Sequence, residues 1–334
     1  STLAIGANGT ATIDSGDNWA GTVSMTDDVL NYNGTTNGVL NATGGDLNIL
    51  QNGILTLQGS GQIADAVNVD IASGSTLAIG ANGTATINSS DNWAGTVSMT
   101  DGVLNYNGTT NGLLNATGGN LNILQNGVLT LQGGSLIANN TNSNEAGKII
   151  VNNGGSITGG INNFDNGQLE IINGGIISGG ENTFNNGSTL TIGNNGTLSG
   201  GTNNINSGGA IIVGNGGTIS GGNINIANGA NGTIQNGGTV SGGTVTVDGS
   251  YTNNGNIQAG STTNVNNGGS FQNTGNISGG DVQIASGGEF QSNGTISGGN
   301  INIENGANAT IQSGGTFFCG NVTVNGTYTN YGEI

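Results

Sequence analysis

Proline and histidine are absent from the chain, lysine and arginine together occur once, at Lys148, and cysteine occurs once, at Cys319. Each absence excludes something. A chain with one cation cannot neutralise phosphates and release their counterions, so nucleic acid is excluded as a partner. An anionic membrane surface repels it for the same reason. The 18 Asp and Glu residues leave a formal charge of -17, which favours solubility and opposes clumping. One cysteine cannot close an internal disulfide, and a nearly cysteine-free chain is compatible with secretion, where a stray thiol is a liability. Lyase chemistry with Arg, Lys or His as the base has nothing to work with. No apolar run approaches the roughly 20 residues that cross a bilayer. Ser1-Thr2-Leu3 has neither the basic start nor the apolar stretch of an export signal.

What the chain does have is glycine, 70 residues of 334, with abundant asparagine and regularly placed Val, Ile and Leu. A hydrophobic content of 32% is too low for an ordinary globular core of this length, so the apolar residues must line a narrow, repetitive one. Residues 1–60 recur at 75–134 with seven mismatches, among them Asp14/Asn88 and Asp28/Gly102. A looser repeat lies at an offset of 77, where Asn223-Ile-Asn-Ile matches Asn300-Ile-Asn-Ile and Tyr251-Thr-Asn matches Tyr328-Thr-Asn. From residue 147 onward Gly-Gly punctuates the chain about every 20 residues, as at 179–180, 200–201, 221–222 and 242–243. The organisation expected is two segments, 1–146 carrying the 74-residue repeats and 147–334 carrying the Gly-Gly-punctuated units, forming one continuous solenoid. Both ends fall inside repeats, so the chain is expected to be a section of a longer protein, or one whose ends are covered by other copies.

Each unit of about 20 residues holds three short alternating stretches closed by Asn-Gly or Gly-Gly. Alternation over some four residues describes a strand with one buried face. Three such strands cannot bury their faces alone, so coils must stack on one another. Glycine, and asparagine to a lesser degree, tolerates the positive φ of tight corners. Proline would delete an N–H from the ladder between coils, which accounts for its absence. Asparagines at equivalent positions of successive coils are expected to stack their amides as a ladder. The fold expected is therefore all-β: a three-sided, right-handed parallel β-helix of about 15 coils of roughly 18–25 residues, handed as parallel crossovers are. Asn-Gly pairs also suit β-hairpins, but hairpins do not explain a three-stretch unit with Gly-Gly at the same place each time.

Candidate sites are few. Glycoside hydrolysis needs two carboxyls facing one cleft, and the densest acidic stretch is Asp14, Asp17, Asp27 and Asp28 around Trp19. The second copy keeps only Asp91 and Asp101 of that set, so no pair is needed in both. The expectation is no enzyme and no cofactor. Asp27 and Asp28 are weak calcium candidates, against the simpler reading of a turn rich in small polar residues. Trp19 and Trp93 could stack against a sugar ring; the plainer alternative is that each covers apolar side chains at a corner. Cys319 has no basic neighbour to activate it and is expected to be a buried small residue.

The unit Asn215-Gly-Gly-Thr-Ile-Ser-Gly-Gly resembles repeats of bacterial autotransporter and filamentous-haemagglutinin-type adhesin passengers. The resemblance implies a parallel β-helix exported to the cell surface or a secreted matrix, acting as a stalk or adhesin. The partners expected are a second copy of the chain, or a cell-surface glycan or protein. Two other readings stay open: a subunit of an extracellular filament built by end-to-end coil stacking, and a carbohydrate-binding or carbohydrate-active β-helix.

Overall fold

The structure, a computed structural model, describes residues 2–5, 9–13, 22–25, 29–32, 39–57, 59–88, 90–99, 103–107, 113–116, 120–123, 128–132, 135–136, 140–144, 147–318 and 320–333. The described residues form short strands and no helix, and the strands pair in parallel between successive coils. The chain divides into two compact units, Ser1–Ile150 with Thr158–Asn162, and Val151–Ile157 with Asn163–Ile334.

In the second unit each coil visits three faces in turn. Glu181–Asn185, Thr202–Ile205, Asn223–Ile226 and Gly243–Val247 stack on the first face. Thr189–Ile192, Ala210–Val213, Asn231–Ile234 and Ser250–Asn253 stack on the second. Thr197–Leu198, Thr218–Ile219, Thr239–Val240 and Asn256–Gln258 stack on the third. Alternate residues of each strand point inward, and their stacking makes the core. On the third face Ile157, Ile177, Leu198, Ile219, Val240, Ile257, Ile277, Ile296 and Phe317 form one buried column in register. Each such side chain contributes about 1.5–3 kcal/mol, and only the coils above and below supply that burial. This is how a chain of modest hydrophobicity sustains a core.

The corners follow the expected chemistry. Every non-glycine residue with positive φ among the described residues is an asparagine, as at Asn52, Asn173 and Asn194. The Gly-Gly pairs turn the chain from the third face to the first. At Gly201 φ is 80°, and a Cβ would stand 2.7 Å from the carbonyl oxygens of Gly179 and Gly180 in the preceding coil. Asparagine ladders occur on the surface, where Asn225 donates to Asn204 at 2.8 Å, and in the interior, where buried Asn182 donates to Asn203 at 2.8 Å.

The first unit is built the same way. Val39–Ala42, Gly45–Ile49 and Ile54–Leu57 lie on the first, second and third faces of one coil, and Gln62–Ile63, Val67–Ile71 and Thr76–Ile79 repeat the order. The near-identical 74-residue copies do not occupy equivalent faces. Thr2–Ile5 stacks through Thr22–Met25 on Val39–Ala42, on the first face. Its copy Thr76–Ile79 stacks between Ile54–Leu57 and Thr96–Met99, on the third. Thr10–Ile13 is likewise on the second face and its copy Thr84–Asn88 on the first. The 74-residue repeat therefore closes one face short of four coils. The 77-residue repeat of the second unit behaves differently. Asn223 aligns with Thr244, Thr262 and Asp281 coil by coil and reaches Asn300–Ile303 on the same face, four whole coils on.

Candidate functional site

Of the residues singled out in the sequence, Trp19, Asp14, Asp17, Asp27, Asp28, Asp101 and Cys319 lie outside the described residues. Trp93 is described, and its place overturns it as a sugar platform. Its side chain is 1% exposed. The strand Asn92–Trp93 turns it inward, edge-on to Tyr106 with ring centroids 5.5 Å apart. The ring is core, and its Nε1 is buried with no hydrogen-bond partner.

Asp91 has a structural task. Its side chain is 3% exposed. The carboxylate accepts from the backbone N–H of Val69 at 2.9 Å, in the preceding coil, and of Asn88 at 2.7 Å, across its own corner. Burial pushes its carboxyl above the usual carboxylate range, the two N–H donors pull it back, and the charge of Asp65 adds to the rise. A carboxylate committed to two backbone donors is a corner brace.

Two surface depressions lie among the described residues. In the first unit a shallow one of about 240 Å³ is lined by Asp46, Asn48, Asn68, Asp70, Ser90 and Asn92, among others. Its carboxylates are engaged: Asn68 donates to Asp46 at 2.7 Å and Asn92 to Asp70 at 2.9 Å. Among the described residues no three His, Cys, Asp or Glu side chains stand together as a metal-binding group.

The second depression, about 290 Å³ in the second unit, has a more definite origin. In most coils the corner between the second and third faces takes four residues, as at 235–238 and 312–315. In three consecutive coils it takes two: Asn254-Gly255, Thr274-Gly275 and Asn293-Gly294. The cause is the last inward residue of the second-face strand. Where the corner is long that residue is apolar, as at Val213, Ile234 and Ile311; where it is short it is Asn253, Asn273 or Ser292, all buried. Asn253 Oδ1 accepts from the Gly255 N–H at 3.1 Å, bending the chain two residues on as asparagine does in tight turns. Its Nδ2 donates to Asn273 Oδ1 at 2.7 Å, and Asn273 Nδ2 donates to Ser292 Oγ at 2.9 Å. The inward residue before each is aromatic, Tyr251, Phe271 and Phe290, with successive ring centroids 5.0 and 5.1 Å apart. Large rings sit where the neighbouring core residue is small and polar.

Three short corners beside a long one leave a recess with a floor of Gly255, Gly275 and Gly294. Glycine is obligatory there, since a Cβ on Gly275 would run into the carbonyl oxygen of Gly255. One wall is the column Asn236, Asn254, Thr274, Asn293; the other is Asn256, Asn276, Thr295. Thr274 Oγ1 donates to Asn254 Oδ1 at 2.5 Å and Asn276 Nδ2 to Asn256 Oδ1 at 3.4 Å. No lining side chain is charged. The recess matches no motif; its signal in the sequence is the replacement of Ile or Val by Asn or Ser two residues after an aromatic.

No protein-family model matches the chain, and no curated protein matches it. Among solved structures it is similar to the crystal structure of a TibC-catalysed, hyper-glycosylated TibA fragment, at 22% identity over 98% of this chain and 97% of that one, with a TM-score of 0.31. A likeness that distant carries no argument about activity.

Proposed function

We propose that the chain is a non-enzymatic part of an extracellular surface protein, a structural solenoid that carries adhesive contacts. The observation that supports this most is the turn between the 74-residue copies. Thr2–Ile5 and Thr76–Ile79 have the same sequence but stack on different faces. A duplication kept for a binding or catalytic site would be expected to preserve its face. One that rotates the surface while continuing the core columns adds length and little else. The solvated faces of the second unit agree with this, since they carry asparagine, threonine and glutamine ladders such as Asn204–Asn225 and Gln291–Gln312.

The test is attachment. Beads coated with the purified chain are expected to attach to cultured epithelial cells or immobilised glycans more than albumin-coated beads do. They are expected to release no reducing ends from a panel of polysaccharides. Attachment equal to albumin overturns the adhesive half of the reading, and released reducing ends overturn the non-enzymatic half.

A further inference from the structure

We infer that the glycine-floored recess between the second and third faces is a binding site for a neutral oligosaccharide lying along the solenoid axis. This deepens the adhesive reading and rests on it. The recess offers what a sugar chain needs. Its walls are amides and hydroxyls, groups that donate and accept at once, as a vicinal diol does. The side chains of Asn236, Asn293 and Thr295 lie on the recess and make no hydrogen bond among the described residues, so they face a ligand with donors and acceptors to offer. The glycine floor lets the C–H face of a pyranose ring lie directly on the backbone.

The spacing matches as well. Equivalent side chains on successive coils repeat about every 4.8 Å, close to the advance of one sugar unit in an extended β-1,4-linked chain. One wall runs through four coils at Asn236, Asn254, Thr274 and Asn293, which presents an amide or a hydroxyl to each successive unit. Many weak, evenly spaced contacts suit a polymer better than a small metabolite. Electrostatics selects the class: the chain carries -17 overall and a single cation, Lys148, so sulfated and uronic-acid polymers are repelled while neutral ones are not.

The experiment uses the full chain on an array of neutral plant, microbial and mammalian oligosaccharides, with heparin as the polyanionic comparison. Saturable binding to at least one neutral glycan and none to heparin is expected. The double variant Asn254→Ala/Asn293→Ala should bind about tenfold more weakly or worse, the scale of two lost hydrogen bonds. The surface variant Asn225→Ala, on the first face, should bind as the parent does. Unchanged circular dichroism in both variants keeps a loss of binding separate from a loss of fold. Binding that survives the double variant, binding to heparin alone, or no binding to any neutral glycan overturns the site. If the site fails while coated beads still attach, the adhesive reading stands on another surface; if neither binds, both fall.

Discussion

Asp91, Trp93 and Gly201 show what a single residue does when every coil leans on its neighbours. The folded chain holds the Asp91 proton to a higher pH than the unfolded chain, because its carboxyl is raised from the ordinary 3.8. Its contribution to stability is therefore complete below that value and declines as pH rises through the raised one. Urea titrations at a series of pH values should show the stability of the parent relative to Asp91→Asn falling over that window; a difference that grows with pH contradicts the assignment. Trp93, enclosed with Tyr106, should fluoresce in the blue and resist acrylamide in a Trp19→Phe background, and added sugars should not change it. A red, quenchable emission would return the ring to the surface. Ala at Gly201 combines a left-handed backbone with a collision against the preceding coil's carbonyls, and should cost about 2–4 kcal/mol by chemical denaturation.

At the scale of the element, the unit of design is the corner. A four-residue corner follows an apolar core residue such as Ile234, and a two-residue corner follows Asn253. Replacing Asn253 by Leu removes the acceptor of the Gly255 N–H and the donors to Asn273 Oδ1 and the Asn276 carbonyl together. The expected loss is about 2–4 kcal/mol, since the partners stay buried and unpaired. In a stack where each coil touches only its neighbours the damage should stay local. Hydrogen exchange should accelerate at residues 250–276, while amides near residue 190 keep their protection. Uniform acceleration along the second unit would show that the corner is not an independent brace.

For the whole molecule the governing quantity is the charge of -17 with one cation. Self-repulsion of that size opposes the compact state and is screened by salt. The melting temperature should therefore rise between low salt and about 0.5 M sodium chloride, where the Debye length is only a few ångströms; a fall would mean that attractive charge pairs dominate. Lys148 begins the strand Lys148–Asn152 and is half-buried, so trypsin should leave the folded chain intact. Unfolded in denaturant, the chain should yield two fragments from one cut, and a third fragment would contradict the sequence as written.

The sequence by itself determined the coil. The two-residue alternation, the glycine and asparagine punctuation and the missing proline leave no other economical way to bury strands of four residues, and the repeat near 20 residues sets the size of each turn. It also carried the asparagine ladders, because equivalent positions in a regular repeat must stack. Only the tertiary structure decided which face each strand occupies. Coil length varies with corner length, so a 74-residue repeat and a 77-residue repeat, nearly equal on paper, land on different faces and the same face respectively. It also decided the fate of Trp93, since a two-residue strand between corners can point its ring either way and packing against Tyr106 settles which. The recess needed the structure for the same reason. Asn253, Asn273 and Ser292 read locally as further polar residues of a polar chain, and only their stacking inside the core shows that they shorten three corners in succession.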